Sequence, residues 1–300
     1  MGHIKRSLLA AAFVVSIGFI PVVPGMQSCL ANDDPEINRK TLLETGECAH
    51  CNLKGVDLRK ADLKGAKLNN AQLQDADLSQ AKLKDANLED ADLSEANLER
   101  ADLSHANLTG ANLTAAKMYR TNLMGANLKG ANLTRVDLRS TILVDTNLRN
   151  ATLEEADLSD VNLDDVKLTG ANLQDADMSS VTLTGADLST ADLSGADLSH
   201  ANMVGANLED AIFANANLSR AKLTGADLHG VNLSHANLSH ANLTDANLRN
   251  ANLRWANLRR ANMEGIDLRG ATVRGAYFEG VKALDQDVKE DLRKRGAKFD

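Results

Sequence analysis

Along residues 51–280 apolar and polar positions recur on a five-residue beat, CNLKG, VDLRK, ADLKG, AKLNN and onward to AYFEG, without an insertion or deletion. The segment divides into 46 words in a single phase. The third place is Leu in 39 of them, the exceptions being Met118, Met178, Met203, Phe213, Met263, Val273 and Phe278, and the first place is Ala in 35. Places two, four and five are almost entirely polar or Gly. A step of five carries a side chain about 140° around an α-helix, so no helix built from these words has an apolar stripe. In an extended segment, by contrast, places one and three point to the same side. The Asn, Asp, Gly and Ser at the other places tolerate turns. A chain that is briefly extended, turns and repeats must coil with Ala and Leu inside, which predicts an all-β fold, a β-solenoid.

The words ADLSG, ANLTG, ADLSH and ANLED resemble the A(D/N)LXX words of the pentapeptide repeat family, and the resemblance covers residues 51–280. It implies a right-handed quadrilateral β-helix with four words per coil and the third-place residue as the central inward one. Residue n then stacks on n+20. Forty-six words make about 11.5 coils, and at about 4.8 Å between neighbouring strands the rod is roughly 55 Å long. Each central Leu contributes on the order of 1.5–3 kcal/mol by burial.

Open solenoid ends expose unpaired edges, so short helical caps are expected. In residues 32–50, Asp34 is placed to cap a helix, Pro35 and Glu36 suit its first turn, and Gly46 is placed to end it. In residues 281–300, Leu284, Val288 and Leu292 fall at i, i+4 and i+8, Asp285 and Asp287 come early, basic residues come late, and Gly296 is the stop. The final GAKFD looks like a further word, but it is one residue out of phase and is assigned to the cap.

Residues 1–31 read as a secretory signal: Lys5 and Arg6 precede an apolar run from Leu8 to Ile20 that is short for a bilayer span. Cleavage is expected after Ala31, with Cys29 in MQSC as a poorer alternative, a lipid attachment site. Removing those residues leaves 31 basic against 41 acidic side chains, a balance of −10. That charge argues against a general nucleic-acid binder.

Candidate chemistry is sparse. Cys48 and Cys51 form a Cys-x-x-Cys, a pattern compatible with a redox disulfide, half a zinc site or haem attachment. Haem attachment would need His where Asn52 stands, and no second cysteine pair completes a zinc site. Cys51 holds the first place of its word and Cys48 the third place of the frame before it, so both should point inward; the expectation is a buried pair or a cap-stapling disulfide. His105, His200, His229, His235 and His240 all hold outward places. His200 and His240 share a column but lie two rungs apart, about 9.6 Å, too far for one metal ion. No cofactor, metal or catalytic residue is assigned, and the absence of any pocket-forming interruption argues against an enzyme.

Three surface features stand out as places for a protein contact. Residues 151–165 hold Glu154, Glu155, Asp157, Asp160, Asp164 and Asp165 with no basic residue among them, whereas residues 246–280 hold six arginines against three acids. Met124, Ile142 and Val144 are apolar at outward places, with Tyr119 expected near their edge. Trp255 is a separate outward residue.

The expected function is therefore an exported, non-enzymatic interaction module. It would be monomeric, with no membrane span after signal removal, and would meet an unidentified protein in the periplasm or, in a photosynthetic source, the thylakoid lumen. Two rivals remain open. The resemblance implies a DNA-shaped decoy for DNA gyrase, which the signal peptide disfavours, and Cys48 with Cys51 would carry a thiol–disulfide oxidoreductase.

Overall fold

The computed structural model of the protein describes residues 33–300, so the expected signal segment, its expected cleavage site and Cys29 lie outside the described residues. Within each word, backbone hydrogen bonding follows one scheme. In word 121–125, Thr121 N–H closes a turn on Met118 O (3.0 Å), Asn122 N–H reaches back to Ala101 O (2.9 Å), and Leu123 and Gly125 N–H reach forward to Ile142 O (2.8 Å) and Val144 O (2.9 Å). Four of the five donors are thus taken by backbone. The fourth-place N–H of Met124 is left, and the Asn122 side chain accepts it through Oδ1 at 3.1 Å. The same Asx bond recurs from Lys54–Asn52 to Arg269–Asp267, which explains why the second place prefers Asn or Asp.

Second-place residues pair in parallel with those 20 positions on, through bridges a single residue wide, with Ile142 and Asn162 the interior exception. Twenty residues therefore make one coil of four walls, here named by the columns that begin at Asn52, Asp57, Asp62 and Glu47. Amide side chains tie successive rungs, as in Asn257 Nδ2 to Asn237 Oδ1 (3.0 Å) and Asn252 Nδ2 to Asn232 Oδ1 (2.9 Å). First and third places fill the interior, and the central Leu, Met and Phe residues are almost wholly excluded from solvent. Every fifth place from 50 to 280 has φ between 54° and 76°, the left-handed value that the third position of a type II turn demands. Gly holds fifteen of these places; Asn, Asp and His hold many of the rest.

The coil begins one word earlier than the sequence suggested. Glu47 bridges Lys67, Cys48 N–H donates to Lys67 O (2.9 Å), and His50 adopts the fifth-place turn. Before it, α1 (Pro35–Thr45) is capped by Asp34, whose side chain accepts from Glu36 N–H, and ends at Gly46 with φ 73°. This helix covers the open edge: Asn38 Nδ2 donates to Asn52 O (2.9 Å), Arg39 Nε donates to Asp57 O (2.6 Å), and Leu42 closes the core.

At the other end α2 (Gln286–Lys294) buries Leu292, but Val288 is 37% exposed. The expected Leu284–Val288–Leu292 face is corrected accordingly: Leu284 precedes the helix and is buried there, while a helix of two and a half turns leaves Val288 outside the contact. GAKFD is also more than a tail. Lys298 bridges Tyr277, Phe278 N–H donates to Lys298 O (2.6 Å), and the Phe299 ring stacks on Phe278 at 5.4 Å. The segment is a final half-rung, shifted by one residue because the chain leaves the coil for α2 and returns.

The bridge ladder is interrupted at an interior seam between Ile142 and Asn162, and single cross-rung bonds are also missing at Met118, Asp137, Ser140 and Lys167. On the Asp62 wall, the amides of Leu143, Asp145 and Asn162 donate no hydrogen bond across to or from word 161–165, although both flanking rungs are intact, with Leu123 N–H to Ile142 O and Leu163 N–H to Thr182 O each at 2.8 Å. Asn162 and Asp164 instead turn to the next rung, accepting from Thr182 Oγ1 (2.9 Å) and Thr184 N–H (2.7 Å). The cause lies in the first-place column, where Thr121, Thr141, Val161 and Val181 follow one another in a site that Ala holds in the rungs on either side. All four are buried, and stacked β-branched side chains in an Ala-sized corner push adjacent rungs apart. Native-state hydrogen exchange should therefore find Leu143, Asp145 and Asn162 exchanging at least about tenfold faster than Leu123 and Leu163. Thr141→Ala combined with Val161→Ala should close the seam and slow them; equal protection in the unmodified protein would contradict this account.

Candidate functional site

The cysteine pair sits where α1 meets the first turn. Cys48 is a third-place and Cys51 a first-place residue, and the turn between them, closed by Cys51 N–H to Cys48 O, brings their Cα atoms to 5.3 Å. The sulfurs are joined as a disulfide, and both residues are buried in the core, at 2% and 8% exposure. Any third-place and following first-place residue would meet across such a turn, so the bond is a local staple built on the geometry of the word. Its sulfurs are shielded from an incoming thiol.

Met124, Ile142 and Val144 do form one patch. Asn122 and Ile142 are bridged, Val144 stands one rung beyond Met124, and the three are 39%, 49% and 46% exposed. Tyr119 is corrected out of this group: it is a fourth-place residue of the adjacent Asp57 wall, half-buried, with the Arg120 guanidinium 5.0 Å from its ring centre. There it lines a shallow open depression with Glu99, Asp137, Arg139 and Asp160. The patch abuts the seam, since Ile142 and Val144 form its lower lip.

The acidic residues are distributed differently from expectation. They occupy three of the four walls of one coil: Glu154 and Glu155 lie on the Asn52 wall and its corner, Asp157 and Asp160 on the Asp57 wall and its corner, and Asp164 and Asp165 on the Asp62 wall and its corner. They make a belt across three walls, and no single face holds them all. Nor is every member unpaired, because Arg139 Nε lies 3.2 Å from Asp157 Oδ2. The belt belongs to a longer acidic section: residues 141–245 carry four basic against sixteen acidic side chains, a balance of −12, whereas residues 246–300 carry twelve against eight.

A family model, Pentapeptide repeats, matches in overlapping segments that together span residues 51–282. The chain belongs to the pentapeptide-repeat family. Among solved structures, this pentapeptide-repeat protein is similar to HetL from the cyanobacterium Nostoc sp. strain PCC 7120, a protein involved in heterocyst differentiation regulation, at 33% identity over 82% of this chain and 97% of that one (TM-score 0.32). A pentapeptide-repeat protein of the Arabidopsis thaliana thylakoid lumen is 32% identical over 42% of this chain and 81% of that one (TM-score 0.28). QnrB1, a plasmid-mediated fluoroquinolone resistance protein, is 17% identical over 81% of this chain and 96% of that one (TM-score 0.37). A search of curated proteins gives no match.

Asp57, Asp92, Asp137, Asp192 and Asp267, second-place carboxylates of this pentapeptide-repeat rod, are held below the ordinary carboxylate range. A side-chain hydrogen bond from Arg59, reinforced by its backbone N–H, lowers Asp57 from 3.8 to about 2, and Arg269 does the same for Asp267. Arg139 lowers Asp137 against its partial burial. At Asp92 and Asp192 partial burial pushes upward, but bonds from Ser94 and Gln74, and from Ser194 and Gln174, together outweigh it. Depressed folded values mean that these groups stabilise the fold above the ordinary carboxylate range, and that this contribution is lost as pH falls through the folded values.

Among the described residues no group of His, Cys, Asp and Glu is arranged to hold a metal ion, and no helix is long and apolar enough to cross a membrane. Of the features missed in the sequence, the Arg139–Asp157 pair has an offset of 18, a diagonal contact between neighbouring rungs that the n+20 columns alone do not show. Reducing the Cys48–Cys51 bond should destabilise the N-terminal coil by about 2 kcal/mol, the chain-entropy value for so short a loop. Exchange of the Cys48 and His50 amides should rise while the coils beyond the seam stay protected. Labelling of both thiols before denaturation, without loss of structure, would contradict the staple.

Proposed function

We propose that this protein is an exported, non-enzymatic scaffold whose rigid walls dock a protein partner. The observation that carries the reading is the Met124–Ile142–Val144 patch. In a fold that places apolar side chains inward at first and third places throughout, three neighbouring outward places hold apolar residues, and burying them against a partner is favourable. The patch lies against Asp164 and Asp165 of the acidic coil, which gives an apolar centre with a charged margin, the usual layout of a protein contact. The shallow depressions on the walls offer no enclosed volume for a small substrate.

Export rests on the basic and apolar character of residues 1–31 and on the buried disulfide, which suits an oxidising compartment such as the periplasm or the thylakoid lumen. A second reading, a decoy for DNA gyrase, is supported by the −12 balance of residues 141–245. Export would remove it from a cytoplasmic target, and the absence of supercoiling inhibition at micromolar concentration would end it.

Crosslinking in the native host, followed by capture on the purified protein, tests the scaffold. Ile142→Asp with Val144→Asp should lower capture of the crosslinked protein by at least about tenfold, as for loss of an apolar anchor. Charge reversal at Glu154, Glu155, Asp157 and Asp160 should weaken it less and make it insensitive to salt. Undiminished capture by the Ile142 and Val144 variant would overturn the proposed surface.

A further inference from the structure

Trp255, the single tryptophan of the chain, is placed at some steric expense. It holds a fifth place with φ 62°, a left-handed conformation in which bulky side chains are rare, and it is the one aromatic residue at a fifth place in the solenoid. Its indole lies across the turn of the next rung, where a Cβ on Gly275 would collide with the ring, so Gly275 is the cradle that seats it. Below it the His235 ring is stacked at 6.5 Å; above it Lys298 Nζ stands 5.4 Å from the ring centre. The indole is nevertheless 45% exposed. An aromatic residue seated by its neighbours on a corner of the rod and still nearly half exposed points to a ligand more than to packing.

The charges around it have the same implication. The ion pairs at this end of the rod join Arg259 to Glu279, Arg269 to Asp267 and Arg295 to Asp291. Arg254, Arg274 and Lys298 have no such partner among the described residues. Arg254 and Arg274 are exposed in the column directly beside Trp255, and Lys298 also sits 4.6 Å from the Tyr277 ring, with its Nζ donating to the Tyr277 hydroxyl at 3.3 Å. Three unneutralised cations thus surround an exposed indole on one corner of the rod.

We infer that this corner is a docking site for a short acidic peptide segment of a partner protein. Carboxylates suit the paired guanidinium groups of Arg254 and Arg274, which stand one rung apart, and the indole supplies an apolar anchor beside them. A long polyanion fits poorly. The column beneath Trp255 runs through His235, Asn215 and Gly195 to Asp175 and Glu155, so a chain extending more than about 20 Å down the rod, four rungs, meets like charge. The site is short because GAKFD closes one end and the acidic section bounds the other. The inference rests on the reading of the rod as a protein-binding scaffold but uses a surface separate from the Ile142 patch. Failure here leaves capture through that patch unaffected, and failure of that patch leaves binding here measurable.

Because Trp255 is the only tryptophan, selectively excited tryptophan fluorescence reports on this corner alone. Titration of the purified protein with hexaglutamate at low ionic strength should give a saturable change in emission that is abolished by high salt. Arg254→Glu with Arg274→Glu should weaken binding by at least about tenfold, and the milder Arg254→Gln with Arg274→Gln several-fold, each with an unchanged circular dichroism spectrum. Trp255→Ala, followed by anisotropy of labelled hexaglutamate, should weaken it about fivefold. No saturable response to hexaglutamate would overturn the inference. So would tighter binding of oligothymidylate or polygalacturonate, which would make the ligand a nucleic acid or a glycan.

Discussion

The fourth-place backbone N–H is the constraint on which this structure depends. A chain that turns every five residues can pair four of its five amide donors with other backbone groups, three across rungs and one across the turn. The remaining donor points along the wall with no backbone carbonyl to meet it. An Asn or Asp two residues earlier supplies the missing acceptor, as Asn122 does for Met124 and Asp77 for Ser79 (3.0 Å). Because an unpaired amide is costly, the second place is set by hydrogen bonding while the first and third are set by burial. The repeating word is the sequence that satisfies both conditions together.

Departures from the word then carry meaning. Where Thr141 and Val161 replace Ala in the inward corner, the ladder opens; where Ile142 and Val144 replace polar residues outside, apolar surface appears on the same rung. These substitutions fall on two adjacent rungs of one wall, so the broken rung of the ladder and the apolar outward surface coincide. A partner seated on Ile142 and Val144 would be seated on the element whose rungs are least firmly joined. At the far end, a different departure, a tryptophan on a turn, is supported by Gly275 and ringed by unpaired cations.

Much of the architecture was legible in the sequence because a period of five, uninterrupted over 46 words, admits few backbones. The central Leu column, the Asp34 cap, the Gly46 stop and the inward direction of both cysteines followed from spacing and residue chemistry. What escaped detection depends on offsets that are not multiples of five or on segments that leave the register. GECAH lacks the usual first-place Ala, so its membership of the coil shows only in the bridge from Glu47 to Lys67. GAKFD returns 21 residues after its partner because α2 intervenes. Arg139, the cation of Asp157, belongs to the rung before and lies outside residues 151–165. Val288 satisfied a helical pattern, but α2 is too short to turn that whole pattern toward the core.

The central claim, that the second-place side chain completes the backbone hydrogen bonding of each word, is tested most directly at Asn237. Its Oδ1 accepts from Ser239 N–H at 3.2 Å on the Asp57 wall, two rungs short of Tyr277 and several rungs beyond the seam. Hydrogen exchange at the Ser239 amide should be compared in the unmodified protein, in Asn237→Asp and in Asn237→Ala. The account predicts protection retained in the Asp variant and lost in the Ala variant, which should also be less stable by about 1 kcal/mol. A Ser239 amide equally protected in the Ala variant would contradict it.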